Sequence, residues 1–209
     1  LTTFYIDDDG QNNGVGTLNN PLVSISNSIT NLSSGDTVIV YPGTYEGNIN
    51  FNDKSIVLAS RILESGDTTY VDSTIIEGIV TIGNAVDSSA LFSGFTITGT
   101  YDSRGLDILS DHNVLIEHVK VIGVGGVHVN NATVRLHDMM IKQNSRTDGG
   151  GGIKIYNSTV ELVNAVIDSN ASTSNYGGGV SIQQSMVTMN EVEITNNTSN
   201  SRGGGIYIQ

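Results

Sequence analysis

A repeat of 26 or 27 residues in the second half of the chain constrains the fold more than any other feature of the sequence. Gly-Gly pairs begin at positions 125, 151, 178 and 204, and an apolar, polar, apolar triplet follows each pair. Two further alternating segments complete each unit, and the last of them ends at Asn144, Asn170 or Asn197. Self-similarity at such a period predicts an architecture of stacked, nearly identical units.

The alternation within each unit predicts strands and not helices. Alternating apolar and polar residues have the period of a strand with one buried face, whereas a helix places its apolar residues three and four apart. Strands this short cannot bury a core alone, but units stacked in register can. We therefore predict an all-β fold, a parallel β-helix, in which equivalent residues of successive units lie about 4.8 Å apart.

The asparagines at the end of each unit are predicted to form a column. In a parallel β-helix Asn144, Asn170 and Asn197 stack directly above one another. Stacked side-chain amides can donate and accept hydrogen bonds along the column. We interpret these residues as a structural ladder and not as a ligand site.

The same pattern continues upstream with shorter units. Residues 114–121 precede their counterparts 134–141 by 20 residues. The repeat therefore begins before residue 80, and the extra residues of the later units form loops on one side. We predict a single domain over 1–209, with irregular shorter coils over 51–125 and regular coils over 126–209.

The first part of the chain, 1–50, is predicted to hold a cap and the first coil. Leu22, Ile25, Ile29 and Leu32 have helical spacing behind Pro21. A short amphipathic helix here would cover the open end of the β-helix. At the other end the sequence stops at Gln209 within a unit, so we expect an uncapped C-terminal coil and a chain that is a fragment of a longer one.

Composition excludes several functional classes. The net charge of −12 repels phosphate backbones and anionic lipid headgroups, so we expect no nucleic-acid partner. No apolar stretch is long enough to cross a bilayer, and we expect no membrane insertion. The absence of cysteine excludes disulfides, thiolate metal sites and cysteine nucleophiles. Low charge and abundant Asn, Ser, Thr and Gly favour an exported bacterial protein, secreted or at the cell surface.

The N-terminal segments resemble a known family. The segments are Tyr5–Asp7, Gly16–Ile25, Gly35–Val40 and Pro42–Tyr45. Together they are similar to the N-terminal cap of the pectin-lyase-like right-handed β-helix superfamily, and this resemblance implies the right-handed form of the fold. The superfamily includes polysaccharide lyases, hydrolases and surface adhesins, so the fold alone does not choose a function.

The later units resemble a different branch of β-helix proteins. Their Gly-Gly-Gly-Ile and Ile-x-x-Asn motifs are similar to the repeats of chlamydial polymorphic outer-membrane proteins and related surface β-helices. The family pattern has Phe where this chain has Ile141, Ile167 and Ile194. This resemblance implies a surface or adhesive role.

Catalytic residues are not recognisable in the sequence. A lyase of this fold needs acidic residues to hold calcium and a Lys or Arg base on the outer face. The outward positions of the first strand of each regular unit supply a single base candidate, Lys154, and no carboxylate cluster. Asp102, Asp107 and Asp111 could face one groove as a hydrolase requires, but acidic residues are expected in turns of this irregular region. We leave the catalytic residues unassigned and lean against an enzyme.

The later coils carry a candidate glycan-binding strip. Tyr156, Tyr176 and Tyr207 project there, near Lys154 and Arg202. Flat aromatic faces beside hydrogen-bonding groups suit sugars, and the alternative interpretation is that the tyrosines shield the sheet surface.

Metal sites are predicted only at the N-terminus. The run Asp7–Gly14 is dense in oxygen ligands, and we name Asp7 and Asp9 as a candidate calcium site, although the spaced Glu of the EF-hand loop is missing. We expect no required cofactor. The 20-residue register also places Glu117 beside His137 and His118 beside Asp138; we interpret these as surface pairs because a metal site needs three or more convergent ligands.

The preferred hypothesis for function is an exported, non-catalytic structural or adhesive β-helix module of the cell surface or extracellular space, with polysaccharide or cell-surface glycan as its partner. A polysaccharide lyase or glycoside hydrolase acting on an acidic polysaccharide is the first alternative. A self-associating extracellular fibre subunit is the second, since unpaired strand edges in an uncapped C-terminal coil could accept another chain.

Overall fold

The computed structural model describes residues 1–10, 13–100, 104–173 and 176–209. The described residues are nearly all β-structure, and three short helices occur among them. The strands are β1 Thr3–Ile6, β2 Thr37–Val40, β3 Gly43–Glu46, β4 Ile49–Asn50, β5 Val57–Ser60, β6 Thr74–Glu77, β7 Val80–Ile82, β8 Leu91–Thr98, β9 Leu106–Ile108, β10 Val114–Ile122, β11 Val127–Asn130, β12 Thr133–Lys142, β13 Ser145–Arg146, β14 Ile153–Tyr156, β15 Thr159–Asp168, β16 Ala171–Ser172, β17 Val180–Gln183, β18 Met186–Thr195, β19 Thr198–Ser199 and β20 Ile206–Ile208. The helices are α1 Ile25–Ile29, α2 Ile62–Ser65 and α3 Tyr70–Ser73. None of these helices is long and apolar enough to cross a membrane.

The described strands form three parallel sheets. The large sheet has the order β1-β2-β5-β8-β10-β12-β15-β18, with β3 and β6 attached to it. The seven-stranded sheet has the order β20-β17-β14-β11-β9-β7-β4, and the small loop sheet has the order β13-β16-β19. Each regular unit therefore supplies one strand to each sheet. The predicted all-β content with long parallel sheets is confirmed.

The strand register follows the sequence repeat. Val127 pairs with Ile153, Ile153 with Val180 and Val180 with Ile206. Upstream, Val114 pairs with Val134, which is the shorter 20-residue step. The residues predicted to stack are thus neighbours across parallel strands.

The long strands of the large sheet differ from the prediction. The second and third alternating segments of each unit are not two separate strands; they form one strand that bends at a single left-handed residue. In β10, β12, β15 and β18 this residue is His118, Asp138, Asn164 or Glu191, with φ of 52°, 52°, 50° and 54°. One left-handed residue turns the backbone while the flanking residues keep their parallel partners.

In β8 the equivalent bend is at Gly94, with φ of 87°. A Cβ there would lie 2.1 Å from Ser60 Oγ and 2.5 Å from Ile62 Cγ2, because α2 packs against this strand. Glycine is required at this position by conformation and by space together.

The apolar core lies between the large and seven-stranded sheets. Its rows include Val127, Ile153 and Val180 from one sheet, which are fully buried. Burial of each such side chain contributes about 1.5–3 kcal/mol. In the last unit the same positions are open to solvent, since Ile206 and Ile208 are 41% and 71% exposed.

The N-terminal helix is shorter than predicted. It covers Ile25–Ile29, and Ser24 Oγ accepts a hydrogen bond from the Asn27 N–H at 3.3 Å as its N-cap. Residues 21–23 are not helical because Leu22 donates to Tyr5 O and accepts from Asp7 N, both at 2.9 Å. These backbone bonds hold the segment beside β1 instead.

Candidate functional site

The seven-stranded sheet carries a row of polar side chains on the face that points away from the core. Five residues of this row pair in register across β9, β11, β14, β17 and β20. They are Asp107, His128, Lys154, Ser181 and Tyr207, and we call them the outer row. Each stands between two inward-facing residues of its strand, so strand alternation turns its side chain outward.

The loop sheet and the loops after it lie over the outer row. His128 and Ser181 are only 6% and 1% exposed, and Arg146 of the loop sheet is only 5% exposed. At His128 and Ser181 the outer face of the seven-stranded sheet is thus a second buried layer, made of polar instead of apolar groups. Polar groups in such a layer must be hydrogen-bonded to one another, because an unpaired one costs free energy.

Asp107 lies at the centre of one bonded group in this layer. Its Oδ1 is 2.7 Å from Nδ1 of His128, and its Oδ2 is 2.7 Å from Nη1 of Arg104. Burial acts to raise the pKa of Asp107, but the hydrogen bonds from His128 and Arg104 outweigh it and hold this pKa below its ordinary value. The carboxylate is therefore charged at neutral pH.

Asp148 organises a second group two strands away. It accepts hydrogen bonds from Nε and Nη2 of Arg146, the latter at 3.3 Å, and from Nζ of Lys154 at 2.8 Å. Arg146 also donates from Nη1 to Gly125 O at 3.3 Å. Partial burial acts to raise the pKa of Asp148, but the paired Arg146 and Lys154 bring this pKa far below its usual range. The loop is thereby fastened to the sheet.

Asp148→Asn is expected to lower the free energy of unfolding by about 2 kcal/mol at neutral pH, because it leaves Arg146 buried without its anionic partner. The folded pKa of Asp148 lies below the unfolded value of about 3.9. The wild type therefore has this contribution above about pH 4 and loses it as the pH falls through the folded pKa. Urea unfolding from about pH 5 to pH 2 should show that the free energy of unfolding falls less with acid in the variant than in the wild type.

The matched control for this experiment is Asp111→Asn, since the side chain of Asp111 is 69% exposed. We expect this substitution to change stability by less than about 0.5 kcal/mol. Equal acid sensitivity of Asp148→Asn and the wild type would contradict the pairing described for Asp148.

The aromatic residues of the candidate glycan strip fall in two neighbouring places. The rings of Tyr176 and Tyr207 stack at 4.4 Å between centroids, with 16° between their planes, so a loop residue covers the last residue of the outer row. Tyr156 ends β14, is 39% exposed, and pairs in register with Asn130 and Gln183. It thus lies on the same sheet face, one outward position beyond Lys154.

Lys154 and Arg202 occupy different settings. Lys154 is in the outer row and bonded to Asp148. Arg202 lies on an exposed loop between β19 and β20, where its carbonyl accepts from Gly177 N at 2.9 Å. Tyr176, Tyr207 and Lys154 therefore share one layer, and Arg202 lies in the loop that borders it.

The positions of several charged residues of this layer were not predicted from the sequence. The sequence around Asp107 predicts a turn, and this prediction is wrong: Asp107 is the central residue of β9, where it pairs with His128. Leu106–Ile108 has the same apolar, polar, apolar pattern as Val127–Val129, and this signal could have found it. Arg146 and Asp148 lie in loops, where no periodicity marks them. Asp102 lies outside the described residues.

The asparagine column is a hydrogen-bonded ladder inside the chain. Nδ2 of Asn144 donates to Oδ1 of Asn170 at 2.9 Å, and Nδ2 of Asn170 donates to Oδ1 of Asn197 at 3.0 Å. Asn144 and Asn170 are each 1% exposed. Their polar atoms are directed to neighbouring units and not to a ligand.

The N-terminal carboxylates are close together but already bonded within the chain. Ligand atoms of Asp7, Asp8 and Asp9 lie within 4.8 Å of one another. Asp8 Oδ2 accepts from Thr44 N at 2.9 Å, and Asp7 Oδ1 accepts from Asp9 N at 3.2 Å. Gln11 and Asn12 of the same run lie outside the described residues. Calcium binding by Asp7 and Asp9 stays a prediction.

The histidines of the large sheet form separate pairs. His118 Nδ1 is 3.7 Å from Asp138 Oδ2, and His137 Nε2 is 3.8 Å from Glu161 Oε2. Glu117 pairs in register with His137. Among the described residues, these side chains do not form a group of three close ligand atoms.

Comparison with known proteins adds a family likeness for the end of the repeat region. Residues 191–209 match the Chlamydia polymorphic membrane protein (Chlamydia_PMP) repeat, which agrees with the resemblance of the later units. No curated protein matches the chain. A solved rhamnogalacturonan lyase is similar with 10% identity over 90% of this chain and 83% of that one, at a TM-score of 0.30. A TM-score this low supports no conclusion about fold or function.

Proposed function

We propose that the chain is a right-handed parallel β-helix that serves as a non-catalytic glycan-binding module on a bacterial cell surface. The three parallel sheets, each receiving one strand from every regular unit, support the β-helix. Connections between parallel strands of one sheet are almost always right-handed, and the superfamily resemblance agrees. The segment around α1, with Ile25 and Ile29 buried, supports an N-terminal cap.

The proposed surface location has two supports. Residues 191–209 match the repeat of a polymorphic membrane protein family. The chain is also low in charged residues, at 14%, and rich in Asn, Ser, Thr and Gly, a composition that favours an exported protein. Regular repeats with polar loops on one side are suited to presenting an extended binding face.

The observation that carries the glycan proposal is the aromatic and polar end of the outer row. The stacked rings of Tyr176 and Tyr207 lie on the sheet face that also carries Lys154 and Tyr156. The hydroxyl of Tyr207 is 3.2 Å from Oε1 of Gln209, so an amide stands beside the stack. Aromatic faces flanked by amides and a cation are the groups that pack on sugar rings and bond their hydroxyls.

The test is binding to a panel of soluble neutral and acidic polysaccharides, measured by calorimetry. Tyr207→Ser should weaken binding about tenfold, since removing an aromatic contact costs about 1.4 kcal/mol. Tyr70→Ser is the control, because it removes a half-buried tyrosine from α3, outside this face, and should leave affinity unchanged. Absence of binding to every glycan, or equal affinity of Tyr207→Ser and wild type, would refute the proposal.

A polysaccharide lyase or hydrolase is the second candidate, and one observation favours it. The hydrogen-bonded Asp107 and His128 stand in the same row as Lys154, which provides an acid and base pair beside a cation. The same panel discriminates the two functions when calcium is added. Release of unsaturated sugars that depends on His128 would favour the lyase, and binding without cleavage favours the adhesive module.

A further inference from the structure

A separate polar groove follows the corner where the seven-stranded sheet meets the large sheet. Its volume is about 550 Å³. It crosses three successive units, and we call it the corner groove. Its lining consists of Asp111, Asn131, Ala132, Thr133, Asn157, Ser158, Thr159, Gln184, Ser185 and Met186.

One wall of the corner groove repeats the same amide in each unit. Asn131, Asn157 and Gln184 are left-handed, with φ of 50°, 45° and 49°. Because the backbone conformation is the same at each level, the three side chains leave the chain in the same direction. They are all exposed, and Nδ2 of Asn157 donates to Oδ1 of Asn131 at 2.7 Å.

The opposite wall repeats a hydroxyl. Thr133 pairs in register with Thr159, and Thr159 pairs with Met186 of the next unit. Thr159 faces solvent and Thr133 is half-buried. A ligand in the groove therefore meets an amide on one side and a hydroxyl on the other at two successive levels about 4.8 Å apart, and Met186 replaces the hydroxyl at the third.

The floor of the groove is saturated by the backbone and cannot bind a ligand strongly. Ser158 Oγ accepts from Ala132 N at 3.1 Å and donates to Tyr156 O at 2.6 Å. Ser185 Oγ accepts from Ser158 N at 3.0 Å and donates to Gln183 O at 2.6 Å. The amide of Asn131 is also bonded within the chain, since its Nδ2 donates to Asn130 Oδ1 at 3.2 Å and its Oδ1 accepts from Asn157. Asn157 Oδ1, the Gln184 amide and the threonine hydroxyls are thus the wall groups left to recognise a ligand.

The charge of the groove defines the ligand class. Asp111 is the single charged residue in the lining, and no Lys or Arg is present there. A polyuronate would find no cation to balance its carboxylates in a chain of net charge −12. Amides and hydroxyls both donate and accept, which matches a neutral, hydroxyl-rich ligand.

We propose that the corner groove binds a neutral linear polysaccharide lying along the stacking direction of the units. A sugar ring is similar in length to the strand spacing of about 4.8 Å, so two successive sugars meet equivalent walls at the levels of Asn131 and Asn157. This inference rests on the proposed glycan-binding function and assigns it a ligand class and a second surface. The outer row, with Lys154, is a different face with different charge.

The experiment uses calorimetric titration with three neutral polymers, hydroxyethyl cellulose, arabinoxylan and galactomannan, and with polygalacturonate. Asn157→Gly removes the amide at a left-handed position that glycine adopts freely, and Thr159→Arg blocks the groove. We expect about a tenfold loss of affinity for the neutral polymer with Asn157→Gly, since an amide makes one or two hydrogen bonds. Thr159→Arg should abolish measurable binding.

Matched controls come from the same units. Asn164→Gly changes an exposed asparagine with φ of 50° at the other corner, and Thr188→Arg changes an exposed threonine of β18 outside the groove. Both should stay within about twofold of wild type, a difference well below 1 kcal/mol. Equal losses in the control and groove variants would overturn the proposal.

The outcomes separate this inference from the proposed function. Binding of a neutral polymer that is lost in Asn157→Gly and kept in Tyr207→Ser supports the corner groove. Binding of any glycan that is lost in Tyr207→Ser and unchanged in Asn157→Gly leaves the proposed function standing and overturns this inference. Failure of the three neutral polymers to bind overturns the inference, whether or not polygalacturonate or other glycans of the larger panel bind.

Discussion

Asn170→Ala is expected to lower the free energy of unfolding by about 4 kcal/mol. Asn170 Nδ2 donates to Ile141 O at 2.9 Å and to Asn197 Oδ1 at 3.0 Å. Its Oδ1 accepts from N and from Nδ2 of Asn144, at 3.0 and 2.9 Å. Alanine leaves these groups without their partner in a site that is 1% exposed, and each buried unsatisfied group costs about 1–3 kcal/mol.

Chemical denaturation followed by circular dichroism measures this loss, by linear extrapolation to water. Asn190→Ala is the matched control, because Asn190 is an exposed residue of the neighbouring strand β18. Its expected change is within about 0.5 kcal/mol. A loss below about 1 kcal/mol for Asn170→Ala would show that the ladder contributes little, since even one orphaned group costs that much.

Gly152→Ala is expected to destabilise the chain by about 3 kcal/mol, because the stacked units leave no room for a methyl group. A Cβ at Gly152 would lie 2.7 Å from Gly179 O and 2.8 Å from Ile167 Cγ2. It would also lie 3.0 Å from Nδ2 of Asn170. Gly179 belongs to the next unit and Asn170 to the ladder, so relief of the clash requires neighbouring units to separate.

Gly205→Ala tests the same position of the repeat without the clash. A Cβ at Gly205 would meet only Ile194 Cγ2, at 3.7 Å, which is ordinary contact. In the 209-residue chain we expect this substitution to be neutral or to stabilise by up to about 1 kcal/mol, because alanine restricts the unfolded chain more than glycine does. Equal denaturation midpoints for Gly152→Ala and Gly205→Ala would show that unit stacking is not the reason for glycine at position 152. If Gly152→Ala does not fold, Gly152→Ser is no substitute, because serine has the same Cβ atom. The yield of soluble protein, compared with that of Gly205→Ala, then measures the destabilisation.

The sequence predicted the regular part of the structure best. The period of the Gly-Gly pairs predicts the register between Val127 and Ile153 directly, because residues one repeat apart in the sequence become neighbours when parallel units stack. The bend inside the long strands was not predicted. Two consecutive outward residues, such as Glu117 and His118, mark it in the sequence, but polar pairs of this kind also mark ordinary turns.

The candidate site was predicted only where it shares the repeat. Lys154 and Tyr207 follow the outward positions of successive units, so alternation alone places them in one row. Arg146 and Asp148 escape such reasoning because they approach the row from loops, and the sequence has no period that relates a loop to the strand it covers. The short helix at Ile25 was overextended for a similar reason, since backbone pairing of Leu22 with β1 competes with helical spacing.

The two faces of the seven-stranded sheet place apolar core residues and polar outward residues at alternate positions of each strand. Val127 and Val129 face the apolar core, while His128 between them belongs to the polar layer. A substitution at an outward position leaves the inward side chains of the same strand untouched, so residues on the outer face can vary without repacking the apolar core. The outer row shows this variation, because equivalent positions in it carry residues as different as Asp107 and Tyr207. Duplicated units that differ only in this row would form a family of binding faces on one scaffold.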